Sequence, residues 1–143
     1  MIAVDSNVLI YAHRLESEFH VDANSAVRHL AESASSWAIP WPCLHEFYSV
    51  VTNTRSSARP TTPAEALVQI RAWRASPSIL LLGEGHDHLE ILHRLIERAR
   101  VVGPMIHDAK IAAICISHGV RELLTLDRDF SRFPEITIRS VIA

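Results

Sequence analysis

The chain has 143 residues, 48% hydrophobic and 21% charged, which suits one ordinary folded domain over residues 1–143 and excludes a disordered or fibrous chain. Its formal net charge is −2, so no global basic field advertises a polyanion partner, and any nucleic acid must be held by local cations. The opening apolar run is broken at Asp5 and no later segment reaches the roughly 18 apolar residues of a membrane span, so the expectation is a soluble, cytoplasmic protein with no membrane partner.

In chain order, "IAVD" reads as a short buried strand, and "SNVLIYAHR" follows as a helix with Ser6 or Asn7 as a cap. "VDANSAVRHLAESA" sets Ala23, Ala26, Val27, Leu30 and Ala34 on one helical face, and "WAIP" is a second strand closed by Pro40. Pro42 is placed at the first position of a helix over "PCLHEFYSVVTNTR", whose apolar stripe is Cys43, Leu44, Phe47, Val50 and Val51. "SSARPTTP" is the one clear loop, and Pro63 opens the next helix.

"SILLLGEG" reads as a third strand, and "HDHLEILHRLIERAR" as an amphipathic helix through Leu89, Leu92, Leu95, Ile96 and Ala99. "HDAKIAAICISHG" is a strongly apolar helix capped by Gly119, "RELLTLD" a fourth strand, and "ITIRSVI" a fifth. Strands alternating with helices predict an α/β fold with a parallel sheet covered on both faces.

Ligands of open parallel sheets bind beyond the carboxyl ends of the strands, and Asp5 and Asp127 fall at two such ends. Asp108 lies in the first turn of an apolar helix, and Glu46 sits among apolar neighbours, so both are expected near the core. Taken singly, Asp5 is a cap, Asp108 a dipole partner, Glu46 a solvated residue, and Asp127 and Asp129 turn formers. Taken together, their apolar flanks argue for carboxylates made tolerable by a cation, an acidic metal pocket.

"VDSNVLIYA", Glu46 in "LHEFYSVV", Asp108 in "IHDAKIAAICISHG" and "TLDRDFSRFP" with Thr125 and Asp127 resemble the PIN domain over nearly the whole chain, and within it the VapC-like toxins of type II toxin–antitoxin systems. The resemblance implies a three-layer α/β/α domain with a central, mainly parallel five-stranded sheet. It further implies a Mg2+- or Mn2+-dependent endoribonuclease toxin that hydrolyses RNA phosphodiester bonds, forms a homodimer and is neutralised by a small cognate antitoxin. Asp5, Glu46, Asp108 and Asp127 would be the catalytic acids. Asp5, Asp108, Asp127 and Asp129 would be the metal ligands, Asp5 and Asp108 foremost. Asn7 and Thr125 read as hydrogen-bond donors to the carboxylates, a role the resemblance supports for Thr125, or as caps of local turns. Oxygen ligands without Cys or His match a hard divalent cation rather than zinc.

Arg55 and Arg59 are candidate RNA phosphate contacts, and the apolar helices between residues 42 and 75 candidate subunit contacts. Cys43 and Cys115 read as buried reduced thiols, and Trp37, Trp41 and Trp73 as packing residues rather than base-stacking ones. "HEFYS" lacks the second His of a zinc-protease helix. The competing reading, from a different class, is a non-catalytic PIN-like interaction domain.

Overall fold

The computed structural model describes residues 1–55 and 59–141. Five strands and six α-helices follow one another as β1 (Ile2–Val4), α1 (Ser6–His13), α2 (His20–Glu32), β2 (Trp37–Pro40), α3 (Trp41–Val51), α4 (Pro63–Arg74), β3 (Ile79–Leu82), α5 (His88–Ala99), α6 (Ile106–Ser117), β4 (Glu122–Leu124) and β5 (Thr137–Arg139). Short 3-10 turns at Gly103–Met105 and Arg128–Arg132 lead into α6 and out of β4.

The strand order is β3-β2-β1-β4-β5, and all four pairings are parallel. The chain steps outward from β1 through β2 to β3, then crosses to the far side of β1 to lay down β4 and β5. Crossovers between parallel strands are right-handed, so reversing the direction of travel moves the connecting helices to the opposite face of the sheet. The helix contacts follow that division: α1 packs on α2 and α3, and α3 on α4, while α5 packs on α6. The reversal falls between β1 and β4, and this is where a doubly wound sheet leaves a crevice beyond its strand ends.

Burial accounts for the sequence pattern. The residues of β2 are all buried, and those of β1 and β4 nearly so, because these strands are covered on both faces; the edge strands β3 and β5 carry exposed positions. In α6, Ala109, Ile111, Ala112, Ala113, Ile114 and Cys115 are all buried, hence its nearly unbroken apolar sequence. Its exit is a glycine turn: Gly119 has φ +72°, its N–H donates to Ile116 O at 3.1 Å, and Val120 N–H reaches back to Cys115 O at 2.9 Å.

Several expected boundaries and faces differ. Trp41 rather than Pro42 opens α3, and that helix stops at Val51, where Thr52 turns its hydroxyl onto Tyr48 O at 2.7 Å. Ala34 lies beyond the end of α2 and is exposed. Leu89 is 71% exposed because the buried stripe of α5 runs through Ile91 and Leu95, and Leu89 sits two residues, more than half a turn, from Ile91. Ser56, Ser57 and Ala58 of the expected loop, and Ile142 of the expected last strand, lie outside the described residues. Trp37 and Trp73 are buried as expected, whereas Trp41 is 42% exposed.

Candidate active site

Asp5 leaves the end of β1 and caps α1. Its Oδ1 accepts the Ser6 N–H at 2.7 Å, so the cap role and the strand-end role are filled by one side chain. The same oxygen takes the Cys43 thiol at 3.6 Å, and Oδ2 accepts the Thr125 hydroxyl at 2.8 Å. Only 4% of Asp5 remains exposed. Burial, reinforced by the nearby charge of Glu46, raises its pKa; the Thr125 and Ser6 hydrogen bonds oppose that rise without cancelling it.

Thr125, just beyond β4 and 1% exposed, is the junction of the site. Besides donating to Asp5, its Oγ1 accepts from Asn7 Nδ2 at 3.2 Å and from the Asp127 N–H at 3.0 Å. Asn7 completes the tie, because its Oδ1 accepts the Leu126 N–H at 3.3 Å. The first turn of α1 is thereby stitched to the chain leaving β4: Thr125 donates to the Asp5 carboxylate, whereas Asn7, expected to donate to an acid, gives its amide N–H to the Thr125 hydroxyl instead.

Asp127 accepts the Asp129 N–H at 2.8 Å and starts the 3-10 turn, which folds Asp129 back beside it. Asp108, in the first turn of α6, joins them: one carboxylate oxygen each of Asp108, Asp127 and Asp129 lies within 4.8 Å of the others. Burial first, then the charges of Asp127, Asp5 and Asp129, push the Asp108 pKa to about 6; Arg132 pulls the other way. Three carboxylates this close, offering hard oxygen donors, form a set that suits a divalent cation of the Mg2+ or Mn2+ type.

Asp5, Ser6, Asn7, Glu46, Asp108 and Asp127 line one pocket of about 410 Å3, with His107 and Lys110 also in its wall. Of the acids read from sequence as ligands, Asp108 clusters with Asp127 and Asp129, while Asp5 faces the same pocket from a hydrogen-bonded seat. Glu46 is corrected from near-core to exposed, since α3 turns its Cys43, Leu44, Phe47 and Val51 inward and leaves Glu46 outside. Its carboxylate still reaches the pocket, where Oε2 accepts the Ser6 hydroxyl at 2.9 Å.

Arg55 and Arg59 are both exposed, and neither lines this pocket; Arg59 borders a separate cavity with His13 and Thr61. Ser6, read from the sequence only as a helix cap, and Lys110 and Arg132 are site residues that the sequence reading misses. Ser6 carried a signal, since a hydroxyl next to a strand-end acid at a helix start can bond both ways. Arg132 carried none, because its link to Asp108 arises from a tertiary turn in which its Nε donates to Asp129 O at 3.1 Å.

Comparison with known proteins agrees with this geometry. A family profile described as PIN domain matches residues 2–136. Ribonuclease VapC43 of Mycobacterium tuberculosis is 33% identical over 139 residues, covering 97% of this chain and 94% of its own. Ribonuclease VapC31 of the same organism is 32% identical over 136 residues, 95% of each chain. Among solved structures, VapBC2 from Rickettsia felis bound to a DNA fragment of its promoter superposes with a TM-score of 0.69 at 17% identity, over 98% of both chains. The Mycobacterium tuberculosis Sarcin-Ricin loop cleaving toxin VapC20 gives 0.65 at 17% identity, covering 92% of this chain and 93% of its own. An acid-lined crevice at the switch point of a parallel sheet, a family profile spanning nearly the whole chain and relatives named as VapC ribonucleases lead to one conclusion: the chain belongs to the PIN domain family.

Proposed function

We propose that this protein is a divalent-metal-dependent endoribonuclease, the toxin of a toxin–antitoxin pair, working in the cytoplasm. The observation that carries the reading is the meeting of Asp108, Asp127 and Asp129 in one carboxylate cluster, with Asp5 and Glu46 facing the same pocket. Relatives named ribonucleases support the reaction class, and solved toxin–antitoxin complexes of like fold support a small protein antitoxin. Buried, free Cys43 and Cys115 suit a reducing compartment, and no helix among the described residues is long and apolar enough to cross a membrane.

Asp108, Asp127 and Asp129 would hold Mg2+ or Mn2+, and Asp5 and Glu46 line the same pocket as Asp108 and Asp127. When bound, the cation offsets the phosphate charge and makes water a better nucleophile. The chain's own residues do the rest. Thr125 and Ser6 hold Asp5 in one rotamer, so its carboxylate is oriented before substrate arrives. The Ser6 hydroxyl also donates a hydrogen bond to Glu46, which holds this exposed acid toward the pocket. Glu46, the most solvent-accessible of the pocket acids, is placed to take a proton from attacking water and pass it to bulk.

The homodimer contact is assigned to α3 and α4, where Trp41, Leu44, Tyr48, Leu67 and Ile70 line an apolar groove of about 420 Å3. Purified protein incubated with RNA and Mn2+ should cleave it, cleavage should stop in EDTA, and Asp108→Asn should be inactive at unchanged circular dichroism. Cleavage in EDTA, or full activity of the Asn variant, overturns the assignment.

A further inference from the structure

Lys110 is the chain's only lysine, and it sits half-buried in the wall of the pocket that holds Asp5 and Asp108. Among the described residues it makes no ion pair within 4.0 Å, although four carboxylates line the same pocket. Helix geometry explains its separation from Asp108, the one pocket carboxylate on α6. At 100° per residue, Lys110, His107, Ile111 and Asp108 follow one another around α6 over an arc of about 160°, with the ammonium and the carboxylate at its two edges. All four line the pocket, so α6 presents an acidic edge and a cationic edge to it.

Such a division has a use if the ligand is a polyanion. Repeated phosphates are repelled by a cluster of carboxylates on a chain of net charge −2, and a bound cation relieves this only where it sits. Arg132 is committed on the acidic side, with its Nε on Asp129 O. The ammonium of Lys110, a strongly hydrated point charge on a flexible stem, is uncommitted and suits a phosphate oxygen. Resting on the ribonuclease reading above, we infer that Lys110 binds a backbone phosphate of the RNA next to the one being cleaved, and so sets the direction in which the strand crosses the pocket. His107, exposed one turn earlier on the same strip, borders that phosphate seat.

The test is steady-state cleavage of single-stranded RNA in saturating Mn2+ by the parent and by Lys110→Met, Lys110→Gln and Lys110→Arg, repeated over a range of salt concentrations. Met keeps the aliphatic stem and loses the charge; Gln carries the test if the Met variant melts well below the parent. Both neutral variants should raise KM about tenfold, hold kcat within about twofold and lower the slope of log KM against log salt by about 0.7, one phosphate contact on a single strand. Lys110→Arg should restore both values. Unchanged KM and slope, a fall in kcat at constant KM, or a shift only in the Mn2+ concentration required would overturn the inference and make Lys110 an internal counter-charge. A parent that cleaves no RNA overturns the ribonuclease reading and this inference together; a parent that cleaves while the neutral variants match it overturns this inference alone.

Discussion

Thr125 Oγ1 lies 2.8 Å from Asp5 Oδ2, so a buried hydroxyl just past β4 donates to a buried carboxylate just past β1. The two strands are neighbours in the sheet, which turns a separation of 120 residues into a contact. Thr125→Val keeps the shape and removes the bond. It also strips the acceptor from Asn7 Nδ2 and the Asp127 N–H, so a loss of roughly 1–3 kcal/mol is expected in chemical denaturation. Thr125→Ser should recover most of it, and a Val variant as stable as the parent would show that the hydroxyl does not organise the site.

Removing one acid should move activity and metal-free stability in opposite directions. Asp127→Asn leaves an oxygen to accept the Asp129 N–H, but relieves the charge that helps raise the Asp108 pKa. Activity is expected to fall about 10–100-fold or more. In EDTA the variant should melt at or above the parent's temperature. In Mn2+ at about a hundred times its dissociation constant the parent should gain about 2.7 kcal/mol. A parent indifferent to Mn2+, together with a variant clearly less stable in EDTA, would mean that the acids do not repel one another.

Asp108 sets a pH signature. Its folded pKa of about 6 lies above the ordinary value of 3.8, so between those values the folded chain keeps a proton that the unfolded chain has released. Metal-free stability contributed by Asp108 is therefore complete below the lower value and is lost as pH rises through about 6; Asp5, also raised by burial, adds the same sign. Melts in EDTA should show the parent losing stability across this window and Asp108→Asn losing less. Mn2+ binding needs the ionised form, so calorimetric affinity should weaken as pH falls below about 6. A flat EDTA profile for both proteins would remove the carboxylate crowding from the account.

The products report how phosphorus is attacked. Water attacking in line, with no part for the ribose 2′-OH, should leave 5′-phosphate and 3′-hydroxyl ends. Mass spectrometry of cleaved RNA that finds 2′,3′-cyclic phosphates would contradict the role given to the carboxylates.

Gly119 makes the turn that returns the chain from α6 to β4. A Cβ there meets nothing within 4 Å, so Gly119→Ala probes backbone strain alone at φ +72°. A cost of about 1 kcal/mol, or about 2–4 °C in Tm, is expected, with Asn tolerated better. A thermal melt that shows no difference would mean that the turn relaxes to another conformation.

Much of this arrangement is legible in the sequence because it is local. Asp5 and Asp127 stand where apolar strand runs stop, Asp108 opens an unbroken apolar helix, and Gly119 follows that helix directly. What escapes is what the tertiary fold decides. Leu89 reads as core from its spacing with Leu92 and Ile96, yet the stripe of α5 is set by where Ile91 and Leu95 dock. Glu46 reads as near-core from its neighbours, yet helical rotation turns it outward and the Ser6 hydroxyl draws its tip back. Asp129 looks like an ordinary turn former, and the turn is real; it is the same turn that delivers it to Asp108.

The strand order also bears on when the acids can meet. β1 is made well before its sheet neighbour β4, which begins only at Glu122. Until β4 follows, Asp5 has neither the Thr125 hydroxyl nor Asp127 and Asp129 nearby. The pairing that unites them closes one of the longest loops the chain contains, a slow, non-local step. Asp5 thus joins the other acids only once β4 is in place, and a chain cut between Asp108 and Glu122 holds Asp5, Glu46 and Asp108 without the partners that make them a site.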